Sequence, residues 1–127
     1  MSSLKELILV AAGGGLGAAA RFLASRAALQ WMPTTFPWGT YLINVSGCLM
    51  IGFVAGLADS GSVSPLARLF IVTGVLGGYT TFSAFGLEAQ GLISAGRLSS
   101  AFLYVAGQIL LGLFGVFVGL SLARRIG

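Results

Sequence analysis

A polar, glycine-rich interruption lies in the middle of an apolar stretch long enough to cross a bilayer. Residues 77–85 read Gly-Gly-Tyr-Thr-Thr-Phe-Ser-Ala-Phe, and apolar residues predominate on both sides. Glycine loses much backbone freedom in a helix, and threonine hydroxyls compete for backbone hydrogen bonds. Within hydrocarbon, a broken helix is tolerated only where protein, water or an ion satisfies the freed backbone groups. The segment therefore predicts a broken helix at an ion or substrate site, with a glycine-rich packing face as the alternative.

The remaining sequence divides into apolar runs of transmembrane length. Of the 127 residues, 57% are hydrophobic and 8% are charged, and the mean hydropathy is +0.99, which indicates an integral membrane protein. Because about 20 apolar residues span a bilayer, we predict four helices, at about 4–28, 39–58, 66–92 and 99–122. The connections are short, so we expect a single transmembrane domain over 1–127, with its function inside the bilayer.

The residue types exclude several classes of chemistry. Histidine is absent and Cys48 is the one cysteine, so a His or Cys metal centre and a Ser-His-Asp triad are excluded. The net charge is +4, but the basic residues are scattered apart from the last pair, without interleaved aromatics. Such a pattern does not indicate nucleic-acid binding. We therefore expect a protein that is not an enzyme and has no nucleic-acid partner.

Basic residues near the span ends give only a weak preference for one orientation. An even number of spans places both termini on one side, and the excess of basic residues there is four to two, which mildly favours cytoplasmic termini. So small a bias also suits a chain that inserts in both orientations. The two sets are Lys5, Arg68, Arg124 and Arg125 against Arg26 and Arg97.

Glycines recur at four-residue spacing in three of the spans. This spacing lets two helix backbones approach closely, so it predicts contact faces between helices. The pairs are Gly13 with Gly17, Gly52 with Gly56, and Gly115 with Gly119.

Two polar residues inside predicted spans are candidates for contact with an ion. Arg21 lies about two turns before the end of the first span, where it either snorkels to the surface or forms a positive collar at the mouth of an aqueous path. Asn44 shares one face of the second span with Thr40 and Cys48. Its amide either bonds a neighbouring helix or donates to an anion.

Aromatic and amide side chains suggest two further parts of a path. Phe82 and Phe85 are three residues apart and bracket Ser83, so the rings share one side of the helix after the break. Their positive edges suit an anion while their apolar bodies exclude water, although ordinary packing would use the same residues. In the fourth span, Tyr104 and Gln108 offer a phenol and an amide at four-residue spacing.

Taken together, these features closely resemble the Fluc (CrcB) family of fluoride ion channels over the whole chain. The most specific part is the segment 77–85, supported by the glycine pattern that leads to Arg21 and by the segment from Gly39 to Asn44. The resemblance implies passive export of fluoride from the cytoplasm through the inner membrane, and hence fluoride resistance. It also implies an antiparallel, dual-topology homodimer with two fluoride paths and a central structural sodium ion (Na+).

Residue roles follow from the same resemblance. It implies sodium held by the carbonyls of Gly77 and Thr80, and Arg21 near the vestibule. It further implies a fluoride path bordered by Asn44, Phe82, Ser83, Phe85, Tyr104 and Gln108. Family members usually have threonine where this chain has Ala84, and hydroxyl residues near Gln108, so the polar track differs here.

Two other functions remain open at this point. A small proton-coupled multidrug exporter also has four spans, but it needs a carboxylate deep in the membrane. Of the three acids, Glu6 and Asp59 lie near span ends and Glu88 does not, while Arg21 favours an anion. A passive assembly subunit, held together by glycine faces, would tolerate changes at Asn44 and at the two phenylalanines.

Overall fold

The computed structural model describes residues 2–127, and helices account for nearly all of them. The described elements are α1 (Ser3–Trp31), α2 (Trp38–Asp59), α3 (residues 65–79), α4 (Phe82–Ser94) and α5 (Leu98–Ile126). The third predicted span, Pro65–Ser94, comprises α3 and α4, and all four spans are long and apolar enough to cross a membrane. The predicted all-helical architecture with a broken third span is therefore confirmed. Each span extends one to four residues beyond its predicted limits at either end.

Local sequence signals determine where several helices begin and end. The Ser2 side chain caps α1 and the Ser64 side chain caps α3, where Pro65 occupies the first helical position. Gly61 and Gly96 adopt positive φ angles of 82° and 74° in the turns after α2 and α4, a conformation that favours glycine.

Glycine pairs bring α1 against α3. A Cβ at Gly13 would lie 2.6 Å from the carbonyl oxygen of Phe70, and one at Gly17 would overlap the carbonyl oxygen of Val75. Most of α3, Leu69–Leu76, is π-helical along this contact. The prediction that Gly13 and Gly17 form a contact face is confirmed, because backbone meets backbone where any side chain would intervene.

The other two predicted glycine pairs face each other between α2 and α5. A Cβ at Gly52 would overlap the Val116 carbonyl oxygen, and one at Gly119 would overlap the Leu49 carbonyl oxygen. Gly56 and Gly115 lie on the same two faces. This close contact holds α5 along the full length of α2 and positions the polar residues of both helices side by side.

The glycines at the start of the interruption do not break the helix, contrary to the expectation from sequence. Gly77 and Gly78 are helical and complete α3, while the extended residues are Thr80 and Thr81. A Cβ at Gly78 would overlap the Gly14 carbonyl oxygen. Gly78 is thus required for close packing on α1. The threonines form the break, where the Thr81 hydroxyl replaces the helical acceptor of the Ala84 amide.

We predict that Gly17→Ala destabilises the protein by about 1–3 kcal/mol, the usual cost of overpacking. The new methyl group would displace the Val75 carbonyl and the Tyr79 amide nitrogen, 2.9 Å away. Gly15→Ala is the matched control, since no atom lies within 4 Å of its Cβ position. Thermal unfolding in detergent measures the difference, and equal stability of the two variants would contradict the packing described here.

Candidate functional site

Two threonines form the break between α3 and α4. Thr80 (φ −83°, ψ 157°) and Thr81 (φ −151°, ψ 112°) are extended. The Thr80 hydroxyl donates to the carbonyl of Leu76 at 3.0 Å, and the Thr81 hydroxyl oxygen accepts from the amide of Ala84 at 3.1 Å. One threonine therefore closes the end of α3 and the other caps the start of α4.

Side chains of α2 hold this extended segment in place. Asn44 bonds the backbone of Thr81 twice: its Oδ1 accepts from the Thr81 amide at 2.9 Å, and its Nδ2 donates to the Thr81 carbonyl at 3.0 Å. Ser46 and Tyr79 share a hydroxyl–hydroxyl bond of 3.0 Å. Gly47 leaves room for the methyl group of Thr80, which would overlap any Cβ there.

The break removes the usual helical donors from the carbonyl groups at the end of α3, among them those of Gly77 and Thr80. In a continuous helix the Thr81 amide would bond the carbonyl of Gly77, but here it bonds Asn44. The Ala84 amide would likewise bond the carbonyl of Thr80, but here it bonds the Thr81 hydroxyl. Neither the carbonyl oxygen of Gly77 nor that of Thr80 therefore has its usual helical donor.

Arg21 contacts the backbone beside the break. Its Nε donates to the carbonyl of Gly78 at 3.1 Å, and the side chain is half-buried. The arginine thus binds between α1 and the end of α3 rather than reaching past the helix end to the surface. It places a positive charge near the centre of the third span.

Gln108 of α5 completes the polar group around Asn44. Its Oε1 accepts from Asn44 Nδ2 at 2.5 Å, and the residue is only 7% exposed. Its Nε2 has no hydrogen-bond partner among residues 2–127. A buried amide donor without an acceptor is costly, because it has given up its hydrogen bonds to water.

These groups line a cavity of about 340 Å³ beside the break, which we call the break cavity. The rings of Phe82 and Phe85 lie 5.5 Å apart along one side. Phe82 is 83% exposed, so this side of the cavity is open in the single subunit. The full lining is Asn44, Gly47, Cys48, Ile51, Val72, Leu76, Gly77, Thr80, Thr81, Phe82, Phe85, Gln108 and Ile109.

Tyr104 lies one turn before Gln108, behind the break cavity. It is fully buried, and its hydroxyl donates to Glu88 at 3.0 Å. Glu88 and Thr40 line a second cavity of about 450 Å³ below the loop that follows α1, which we call the loop cavity. Along α5, Gln108 therefore lines the break cavity, and Tyr104 bonds a residue that lines the loop cavity.

The structure brings most of the predicted site residues together. Six of them line the break cavity: Asn44, Gly77, Thr80, Phe82, Phe85 and Gln108. Tyr104 lies behind it and Arg21 lies at the edge of the break. Ser83 is exposed on α4 and does not line the cavity.

Sequence reasoning missed two contacts of the site. Nothing in the spacing paired Asn44 with Gln108, which are 64 residues apart, or Glu88 with Tyr104. The available signal for Glu88 was that it is the one acid far from a span end. Among residues 2–127, no group of histidine, cysteine or acidic side chains could hold a metal ion.

Comparison with known proteins gives a consistent answer. Residues 8–120 match the family described as CrcB-like protein, Camphor Resistance (CrcB). The chain is 48% identical over 120 residues to fluoride-specific ion channel FluC 2 of Nitrobacter hamburgensis, covering 94% of this chain and 97% of that one. It is 44% identical over 122 residues to fluoride-specific ion channel FluC of Rhodospirillum centenum, covering 95% and 97%. The FluC protein of Novosphingobium aromaticivorans is 49% identical over 120 residues, covering 92% and 94%.

Proposed function

Because the chain belongs to the CrcB family, we infer that it is a multi-pass membrane channel that conducts fluoride. The observation that carries this inference is near full-length identity to proteins named fluoride-specific ion channels. Passive conduction would let fluoride leave the cytoplasm, so we place the protein in the cytoplasmic membrane, where it would confer fluoride resistance.

The break cavity has the composition that an anion path requires. Among the described residues that line it there is no acid, its walls are mainly apolar, and its polar groups include the amide of Gln108 and the hydroxyl of Thr80. The guanidinium of Arg21 lies next to the same break. The cavity lining carries no negatively charged side chain, and a positively charged guanidinium lies nearby. An anion entering this cavity is therefore favoured over a cation.

We propose that Phe82 and Phe85 line the path through their ring edges. Both rings face the cavity, and an aromatic edge carries partial positive charge while the rest of the ring excludes water. Beyond them, Gln108 and Tyr104 would border the path towards the loop cavity. The exposed hydroxyl of Ser83 would join this path only at a surface shared with another subunit.

The open side of the break cavity supports a dimer. Phe82 is 83% exposed in one subunit, and a second copy would complete the wall that is missing there. The near balance of basic residues at the span ends suits an antiparallel partner. Each subunit would then contribute one break cavity, giving two fluoride paths per dimer.

A structural sodium ion fits the freed carbonyls at the break. The carbonyl oxygens of Gly77 and Thr80 have both lost their helical donors, and carbonyl oxygen is a suitable ligand for a hard cation. Two antiparallel copies would bring two such pairs together at the dimer centre. When bound, the ion would neutralise these dipoles and add positive charge near the anion path.

We predict that the purified protein in liposomes releases fluoride rapidly and releases chloride and a lipophilic cation far more slowly. A fluoride electrode and a chloride electrode measure the first two, and a radiolabelled cation measures the third under an imposed proton gradient. Protein-free liposomes are the control. Cation transport driven by protons, without fluoride release, would instead support the multidrug exporter.

We predict that forcing all copies into one orientation abolishes fluoride flux, because parallel copies cannot complete each other's cavities. Two lysines inserted after Lys5 would increase the charge bias at the N-terminal face. The same insertion after Arg97, on the opposite face, is the matched control for each orientation, and co-expression of the two variants should restore flux. Tag accessibility reports topology, and full flux from a uniformly oriented population would contradict the antiparallel dimer.

We predict that replacing sodium with N-methyl-D-glucamine lowers both dimer stability and fluoride flux. The large organic cation cannot enter a site formed by carbonyl oxygens, so the dipoles of Gly77 and Thr80 would face each other uncompensated. Dimer dissociation in detergent gives a measure independent of transport. Potassium and lithium series serve as size controls, and indifference of the dimer to all sodium replacement would contradict a structural sodium ion.

A further inference from the structure

Glu88 on α4 is a carboxylate without a positively charged partner among the described residues. It is half-buried, and within residues 2–127 its one hydrogen bond comes from the Tyr104 hydroxyl, which donates to Oε1 at 3.0 Å. A carboxylate has two oxygens and accepts several hydrogen bonds. A negative charge that is partly removed from water is costly unless a cation or further donors compensate it. Glu88 therefore has capacity for a cation that the subunit itself does not supply.

Arg97 does not balance this charge. It is the one basic residue among the described residues that line the loop cavity, and its guanidinium donates to the carbonyl of Thr35 in the loop after α1. Six helical residues, or about 9 Å, separate Glu88 from Ser94 at the end of α4. Arg97 lies beyond that end. It therefore fastens the loop at the rim of the cavity and leaves Glu88 unpaired.

The loop after α1 places two aromatic rings in the same cavity. Phe36 and Trp38 both line it, with ring centroids 4.8 Å apart and planes inclined by 54°. Phe36 also packs against Tyr41 at 5.8 Å and edge-to-face against Tyr104 at 5.4 Å, so its position is fixed from several sides. Aromatic rings attract cations, and groups of such rings bind methylated ammonium ions. The loop cavity thus combines a negative charge with apolar aromatic walls.

We propose that the loop cavity binds a small organic cation with a methylated ammonium group, which pairs with Glu88 and is enclosed by the rings of Phe36 and Trp38. The cavity volume of about 450 Å³ lies within the usual range for small-molecule sites. The carboxylate supplies the charge, and the rings accommodate the methyl groups. A bare alkali ion would leave the aromatic walls without a role.

An occupant of the loop cavity would obstruct a fluoride path. This consequence rests on the function proposed above, in which the path continues past Gln108 and Tyr104 towards the loop cavity. In an antiparallel dimer, the two loop cavities open on opposite sides of the membrane. A cation confined to one side would therefore reach only one of the two paths. The site thereby allows organic cations to block the channel from either side.

Binding of radiolabelled choline to the purified protein in detergent tests the site directly. Choline carries a trimethylammonium group, and 3,3-dimethylbutan-1-ol is its uncharged carbon isostere. We expect saturable choline binding that unlabelled choline displaces and the isostere does not, because the isostere has no charge to pair with Glu88. Absence of saturable binding, or equal displacement by the isostere, would overturn the proposal.

Matched variants locate the bound cation. Glu88→Gln removes the charge with little change of shape, so choline binding should weaken by on the order of tenfold or more. Trp38→Leu removes one aromatic wall and should weaken binding several-fold. Asp59→Asn and Trp31→Leu are the controls, because both residues are exposed and neither lines the loop cavity. Wild-type affinity in Glu88→Gln, or equal losses in the two tryptophan variants, would contradict the assignment.

Fluoride release from liposomes tests the block separately. Choline added outside should lower the release rate to a plateau, because paths whose loop cavities face inwards stay open, and choline on both sides should lower it further. The isostere on both sides is the control and should leave release unchanged. Saturable binding without slower release would contradict the block. A wild-type protein that binds choline but releases no fluoride would instead count against the channel function alone.

Discussion

The requirement that every backbone polar group at membrane depth find a partner underlies the site. Lipid offers no hydrogen bonds, so the extended residues Thr80 and Thr81 are tolerated only because other groups replace the helical ones. Asn44 bonds both backbone groups of Thr81, and the two threonine hydroxyls cap the adjoining helices. The same substitutions leave the carbonyls of Gly77 and Thr80 without helical donors. The same hydrogen bonds that allow an extended segment within the membrane therefore leave backbone carbonyls available as candidate ion ligands.

Close helix packing positions these groups. Glycines on α1 bring it against α3, and glycines on α2 and α5 bring those two helices into backbone contact. With so little space between α2 and α5, Asn44 and Gln108 come within hydrogen-bonding distance across the interface. The packing therefore links the break, which Asn44 holds, to the amide of α5. An insertion of one methyl group at these glycines would separate the two.

The polar groups of the site do not act independently, because hydrogen bonds from one group orient the next. The Thr81 backbone orients Asn44, and Asn44 orients Gln108, whose Nε2 has no hydrogen-bond partner within residues 2–127. Hydrogen-bond networks of this kind restrict each member to one orientation. Arg21 bonds the Gly78 carbonyl on the opposite side of the break and supplies charge without occupying the cavity. Charge and hydrogen-bond donation thus come from different residues.

The sequence by itself determined that this is an integral membrane protein with four spans, that glycines form contact faces between helices, and that one span is broken. These features depend on hydropathy, length and local residue type. The sequence also identified six of the thirteen residues that line the break cavity through the resemblance to a known family. Tertiary structure alone decided that Thr80 and Thr81, not Gly77 and Gly78, form the break, since the role of a glycine depends on which backbone packs against it. It likewise decided the pairing of Asn44 with Gln108 and of Glu88 with Tyr104. Hydrogen bonds between helices depend on the relative rotation and depth of those helices, and no periodicity within one helix encodes either.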